Sequence, residues 1–465
     1  MHYLMLCVSL VFMSVPERTF AADAQQATVE LQMPEPGTVL TLERAIRIAL
    51  HNHPLIERAQ YAALGARAIT KQTRGERYPW LEASVAGGSG SFRIVSADAR
   101  TIHDQGAHGF DPGGALPKHN QNMLTGGLIL NQLITDFGYT AHRILMNEKY
   151  EGVSDKQLFA HKAQVILNVQ RAYFTTLMHQ RLVELAAATL QARQAFRDRV
   201  AVLYRNQLKS KVDLDLLQVE VSNAEFALLG QKNDVKQQFG ALNNAMGLSV
   251  AQEYQLEPMT AVVQRLPALD TLLSQGLDAR PELLGARDKS QASAELLKAV
   301  KALNYGSLSA VGVIGATRYF DVHEAGIHDD ELAPMWGGGA TIRFPLFTGF
   351  KVQQQIAEAL HQQGETEQDL QQTVNEVTFQ VIRAYFAQVS NGEQIPVEQE
   401  RVNVAREALS LTQERYKMGL SSIVEVIQST TLLFQAESRL AELQYVYRLG
   451  DAALGYATGQ TYQRY

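Results

Sequence analysis

The sequence predicts an α+β fold: mainly long α-helices, four β-strands per chain, and an internal tandem duplication. Three observations lead there. Residues 212 positions apart match over a stretch of roughly 120 residues. No proline occurs between Pro117 and Pro258, as long helices require. Short segments that alternate apolar and polar residues stand before each long helical span.

The chain has 465 residues, of which 19% are charged and 46% hydrophobic, a balance that favours folding over disorder. A formal net charge of −6 excludes a strongly basic surface and with it a nucleic-acid partner. Cys7 is the single cysteine, so neither a disulfide framework nor a cysteine metal site is expected. The apolar run from Tyr3 to Val15 and the small residues Ala21-Ala22-Asp23-Ala24 read as a signal peptide over 1–22. Leu6 stands before Cys7 where a lipidation site needs a small residue, which argues against a lipid anchor. No other segment reaches the roughly 18–20 apolar residues of a membrane helix. Any membrane crossing must therefore be made by a closed barrel.

The duplication shows in Arg171-Ala172-Tyr173-Phe174 and Arg383-Ala384-Tyr385-Phe386. The same offset pairs Gly126 with Gly338, Tyr204 with Tyr416, Ala224-Glu225 with Ala436-Glu437, and Gly247 with Gly459. Upstream it becomes 227, pairing Leu50 with Leu277, Pro54 with Pro281 and Tyr78 with Tyr305. The 15-residue change must fall between residues 81 and 126, in a loop that is longer in the first copy. The expected division is a first repeat at 41–248, a linking segment at 249–270 and a second repeat at 271–460.

Each repeat opens with a helix, at about 41–77 in the first, begun by Thr41-Leu42-Glu43. Strand pairs are expected at 80–95 with 123–135, and at 307–320 with 336–347. A long helix follows. The 65 residues from Tyr139 to Leu203 would span roughly 97 Å at 1.5 Å per residue, too long to stand without equally long neighbours. The helices at about 41–77 and 211–246, stacked end to end, match that length. Pro396 interrupts the second long helix, and a kink is expected there.

Coiled packing is read from steps of 3 and 4. Leu214, Leu217, Val221, Ala224 and Leu228 form one seam; Val402, Ala405, Leu409, Thr412 and Tyr416 form another. The last helix carries two adjacent seams, one through Val424, Ile427 and Thr431, the other through Ile423, Val426, Thr430 and Leu433. Two seams imply neighbours on both sides, as in a ring of helices. Ala340, Ile342, Phe344 and Leu346 alternate with Thr341, Arg343 and Pro345, the pattern of a membrane-barrel wall. The counterpart, Leu128, Leu130, Gln132 and Ile134 against Ile129, Asn131 and Leu133, alternates less cleanly. Four strands cannot close a conducting barrel; three chains would supply twelve.

The stretch from Arg415-Tyr416 through Gly419 and Ser422 to Glu425-Val426 resembles the RYxxGxxSxxDVL turn of the TolC, or outer-membrane efflux protein, family, with Glu425 in place of Asp. The first copy answers with Tyr204 to Leu214, carrying Gln207 where Gly is usual. The junctions Ile134–Gly138 and Pro345–Gly349 are also similar to family patterns. The resemblance implies a homotrimer with a twelve-stranded transmembrane β-barrel in outer-membrane lipid and a trimeric helical barrel in the periplasm. It further implies docking to a periplasmic adaptor protein and an inner-membrane pump; neither a cofactor nor enzymatic activity is expected, since the residues carry no catalytic signature. The expected function is a passive outer-membrane conduit for small molecules in a tripartite efflux system. The outer-membrane component of type I protein secretion is an alternative, and a periplasmic adaptor is one of another class. Asp213, Glu425, Tyr416 and Gln428 are the expected aperture residues, and Gly419, Leu420, Ser421, Ser422, Leu208 and Ser210 form the tip turns and adaptor contact. An acidic residue in a first helical turn is also favoured by the helix dipole alone, so Asp213 and Glu425 have that second reading. Some family members carry Arg at the position of Ser421 and Asp at that of Gln428.

His103, His108 and His119 in one inter-strand loop, and His323 and His328 in the other, have no compact ligand spacing. His51 and His53 read as helix-surface residues. Gly87, Gly88 and Gly90 lie in a strand with no helix start behind them, so they are not a phosphate loop. No catalytic constellation emerges.

Overall fold

A computed structural model describes residues 39–92, 119–250, 252–258, 263–320 and 332–461. The leader, Cys7, His103, His108, His323 and His328 lie outside the described residues. The first half contains β1 (Val39–Leu40), α1 (Leu42–Asn52), α2 (Pro54–Gly75), β2 (Trp80–Phe92), β3 (His119–Thr135), α3 (Tyr139–Arg205) and α4 (Lys211–Ala245). After β4 (Gln255–Leu256) come α5 (Leu269–Ala279), α6 (Pro281–Ala302), β5 (Ser307–Phe320), β6 (Leu332–Arg343), α7 (Lys351–Lys417) and α8 (Ile423–Ala457). The order of elements recurs at the offsets the sequence predicts. There are 26 residues between Phe92 and His119 and 11 between Phe320 and Leu332, which accounts for the change of offset.

The helix expected at about 41–77 is instead two. Thr41 starts α1, its Oγ1 accepting the Arg44 amide at 3.2 Å. His53 is extended, with ψ 120°, because the ring of Pro54 excludes the helical region for the residue before it. Pro54 then opens α2, where its missing N–H leaves no bond unmade. Arg280 and Pro281 break the second copy in the same way, with ψ 121°.

Both long helices contain 67 residues, about 100 Å at ~1.5 Å per residue. Pro396 does not end the second long helix; α7 runs through it as one element. Packing along a long neighbour offsets the ~3 kcal/mol that an interior proline costs. The main contacts of α3 are with α2 and α4 on one side and α6 and α8 on the other, while α7 packs on α6 and α8. The stack of α2 and α4 is thus one edge of the helical layer, and α7 is the other. Val402 and Tyr416 are buried, with Ala405, Leu409 and Thr412 half-buried between exposed neighbours, so this predicted seam faces the layer. Leu217, Val221 and Ala224 do the same on α4.

The four larger strands form one antiparallel sheet in the order β2-β3-β5-β6. Residues paired across an antiparallel ladder share a face. The register therefore puts Leu81, Val85, Leu128, Leu130, Ile314, Trp336 and Ile342 on one face. That face is exposed, Trp336 at 85%. The opposite face carries Glu82, Ser84, Thr125, Asn131, Ser309, Thr317, Thr341 and Arg343 beside Ile129, Val311 and Val313. The Thr125 and Thr317 hydroxyls meet there at 3.0 Å. The expected bounds shift in three places, the first being the start of β6, at Leu332 rather than 336. β3 begins at His119, and β6 ends at Arg343 because Pro345 has no amide to continue the ladder. Phe344 and Leu346 therefore lie beyond the strand. A bulge lies between Leu133 and Thr135, at the end of β3.

Each strand-to-helix junction uses two successive left-handed residues. These are Phe137 (φ 55°) and Gly138 (φ 103°) in the first copy, Gly349 (φ 60°) and Phe350 (φ 62°) in the second. The two slots are equivalent at an offset of 212, with Gly and Phe exchanged. Asp136 fixes the first turn, accepting the Gly138 and Thr140 amides at 3.2 and 2.8 Å.

The largest core cluster surrounds Tyr173, which is fully buried. Its hydroxyl donates to Leu40 O at 2.8 Å and accepts the Glu257 amide at 3.1 Å. It thereby ties α3 to the parallel pair that β1 makes with β4.

Candidate functional site at the helix tips

At the far end from the sheet, α3 turns into α4 and α7 into α8. Both turns are the same six-to-one closure. Leu208 N donates to Leu203 O at 2.9 Å, and Leu420 N to Arg415 O at 2.8 Å. The residue before each is left-handed, Gln207 at φ 60° and Gly419 at φ 77°. Gln207 thus occupies a conformation that a Cβ disfavours, and the missing glycine of the first copy has not changed the turn. Leu208 and Leu420 are exposed at the apices.

The helices that follow are capped alike. Ser210 Oγ accepts the Asp213 amide at 3.2 Å. Ser422 Oγ accepts the Glu425 amide at 3.3 Å, while Glu425 Oε1 accepts the Ser422 amide at 3.1 Å, a complete capping box. Local capping is therefore a use that both carboxylates have within the chain. Asp213 has a second one: its Oδ2 accepts the Tyr416 hydroxyl at 2.9 Å, joining the two repeats.

Tyr416 is only 2% exposed, in an apolar cluster with Val200, Leu217, Ile423 and Val426. Phe196 stands against its ring at 5.8 Å between centroids. Burial first, then the hydrogen bond and charge of Asp213, hold the phenol well above its ordinary pKa. Ser421 Oγ donates to Thr412 O at 3.2 Å, within its own hairpin. Gln428 is exposed on α8. The ten residues read from the sequence thus lie on the two turns and the helix ends beside them, with Tyr416 and Asp213 in direct contact. Just inside the tip, Arg193 on α3 pairs with Glu220 on α4 at 2.7 Å and donates to Thr431 on α8 at 3.3 Å.

Sequence reasoning missed a feature at the other end. Tyr78, Trp80, Phe137, Tyr305, Phe344, Phe347 and Phe350 are all exposed around the base of the sheet. Such a girdle marks the boundary between hydrocarbon and water. It was legible as aromatics clustering where each strand meets a helix.

A sheet with one apolar exposed face, ringed by aromatics and carried on helices of about 100 Å, defines the class: part of an outer-membrane channel. The chain belongs to the outer membrane efflux protein family, whose model matches residues 45–248 and 272–460. It is 21% identical over 347 residues to outer membrane protein TolC of Salmonella enteritidis, covering 73% of this chain and 70% of that one. Its fold matches the outer-membrane channel OprN with a TM-score of 0.77 at 16% identity, over 91% and 90% of the two chains. It likewise matches VceC of Vibrio cholerae, with a TM-score of 0.73 at 19% identity over 90% and 96%. The protein is accordingly an outer-membrane protein with a large helical part in the periplasm, from a family of channels rather than enzymes.

Proposed function

We propose that three copies close into a passive conduit that exports small molecules in a tripartite efflux system, with a periplasmic adaptor protein and an inner-membrane pump as partners. One observation carries this reading: among the described residues, both the sheet and the helical layer end in two open edges. The sheet ends in β2 and β6, whose unpaired backbone groups cannot be left in lipid. Three four-stranded sheets give a closed twelve-stranded barrel. The helical layer also leaves apolar seams uncovered, Val212, Leu216, Val219 and Phe226 on α4, and Val397, Val404, Leu411 and Met418 on α7. A head-to-tail contact between two different edges closes a ring.

In this reading the aperture is formed by Asp213, Tyr416, Glu425 and Gln428, and the adaptor meets Leu208, Ser210, Gly419, Leu420, Ser421 and Ser422. The first repeat at 41–248 and the second at 271–460 supply alternate sectors, linked through 249–270. The test is reconstitution: the chain should migrate as a heat-modifiable trimer, conduct in planar bilayers, and lower the accumulation of small toxic solutes when produced with its pump and adaptor. Recovery as a soluble monomer would overturn the channel. Export of a polypeptide but of no small solute would move the function to type I protein secretion.

A further inference from the structure

Lys209 lies in the α3–α4 turn, at the position that the 212-residue offset pairs with Ser421 in the α7–α8 turn. The two side chains do different things. Ser421 bonds back into its own hairpin at Thr412. Lys209 reaches out of its hairpin: its Nζ donates to Tyr416 O at 3.1 Å and stands 3.9 Å from the centre of the Tyr416 ring. That carbonyl belongs to the last turn of α7, where it also accepts the Gly419 amide at 3.1 Å and where a cation is favoured. An ammonium over the face of a tyrosine gains further from the ring quadrupole. The hydroxyl at the far end of the same residue is on Asp213. Tyr416 is thus held at carbonyl, ring face and hydroxyl by one five-residue stretch of the first repeat, 209–213.

We propose that Lys209 is a tip clamp, a cation of the first repeat that holds Tyr416 of the second and so keeps the α7–α8 hairpin against α3–α4. The proposal rests on the reading of the tip as the narrow end of a channel, and it concerns what keeps that end closed. The Lys209 ammonium and the Asp213 carboxylate act at opposite ends of one side chain. For the hairpins to part, Tyr416 must leave both.

Single-channel recording in planar bilayers tests this with Lys209→Met, which keeps the stem and removes the charge, and Lys209→Arg, which keeps a cation that can stack. Heat-modifiable migration first establishes that each variant is an assembled trimer. Lys209→Met should raise the fraction of time spent at high conductance about tenfold, and Lys209→Arg should stay close to the parent. In a Tyr416→Leu background, Lys209→Met should add nothing, because the clamp acts through that ring. Parent-like recordings from assembled Lys209→Met trimers would overturn the clamp, as would an undiminished effect in the Tyr416→Leu background. Assembled parent trimers that pass no current would defeat the channel reading, and the clamp with it.

Discussion

The Tyr416 hydroxyl donates to Asp213 Oδ2 across 2.9 Å, and with it the end of α7 is joined to the start of α4, 203 residues earlier in the chain. Tyr416→Phe removes only that bond. A hydrogen bond to a charged group contributes about 1.5–3 kcal/mol, so the tip should loosen while the apolar cluster stays packed. Amide exchange resolved to residues 196–220 and 409–427 should accelerate there and remain unchanged around Tyr173. Equal acceleration at both places would mean that the bond supports the whole fold rather than the tip.

The left-handed residue of each tip turn gives a paired prediction. Gln207→Gly removes a Cβ from φ 60°, and should stabilise the first hairpin by up to about 1 kcal/mol. Gly419→Ala, at φ 77°, should destabilise the second by about 1–2 kcal/mol. Opposite signs of the shift in thermal midpoint are the result that counts.

Arg280 is 4% exposed and meets Glu282 at 2.9 Å, with Tyr456 donating to the same carboxylate at 3.0 Å. Burial opposes ionisation of Glu282, but the hydrogen bond and charge of Arg280 outweigh it and leave its pKa below the ordinary value. The stability this provides is present above the unfolded-state value of about 4.5 and is lost as pH falls through the lower folded one. Arg280→Met strands the carboxylate and should cost about 2–4 kcal/mol, since Glu282 keeps some contact with water. Denaturant titrations at neutral pH and below pH 4 should show that loss shrinking in acid.

Tyr173 gives the alkaline counterpart. Its burial raises the phenol from 10.0 to about 12. The unfolded chain releases this proton first, so the stability is complete below pH 10 and is lost as pH rises toward 12. Tyr173→Phe should cost about 1–3 kcal/mol at neutral pH and flatten the alkaline limb of a melting-point profile. An unchanged slope between pH 10 and 12 would assign that limb to other groups.

Periodicity made most of the fold legible. The seam from Val402 to Tyr416 is the covered face of α7, because a step pattern of 3 and 4 records which side meets a neighbour whatever that neighbour is. Pro54 is equally visible, yet the composition on both sides of it is helical, and only the extended His53 reveals the break. The tip residues were found as a turn motif. Their connection was not, since the Tyr416 ring lies over Lys209 and beside Asp213 through packing between repeats, and no local spacing encodes a contact across some 200 residues.

The two open edges of the sheet, β2 and β6, have a consequence for biogenesis. In the proposed trimer a lone chain cannot complete its own strand pairing, so the final step of folding is also the step of assembly and its rate depends on chain concentration. Substitutions along Trp80–Phe92 or Leu332–Arg343 should therefore act less on the finished channel than on the number of channels a cell obtains, by leaving more half-paired chains open to proteolysis.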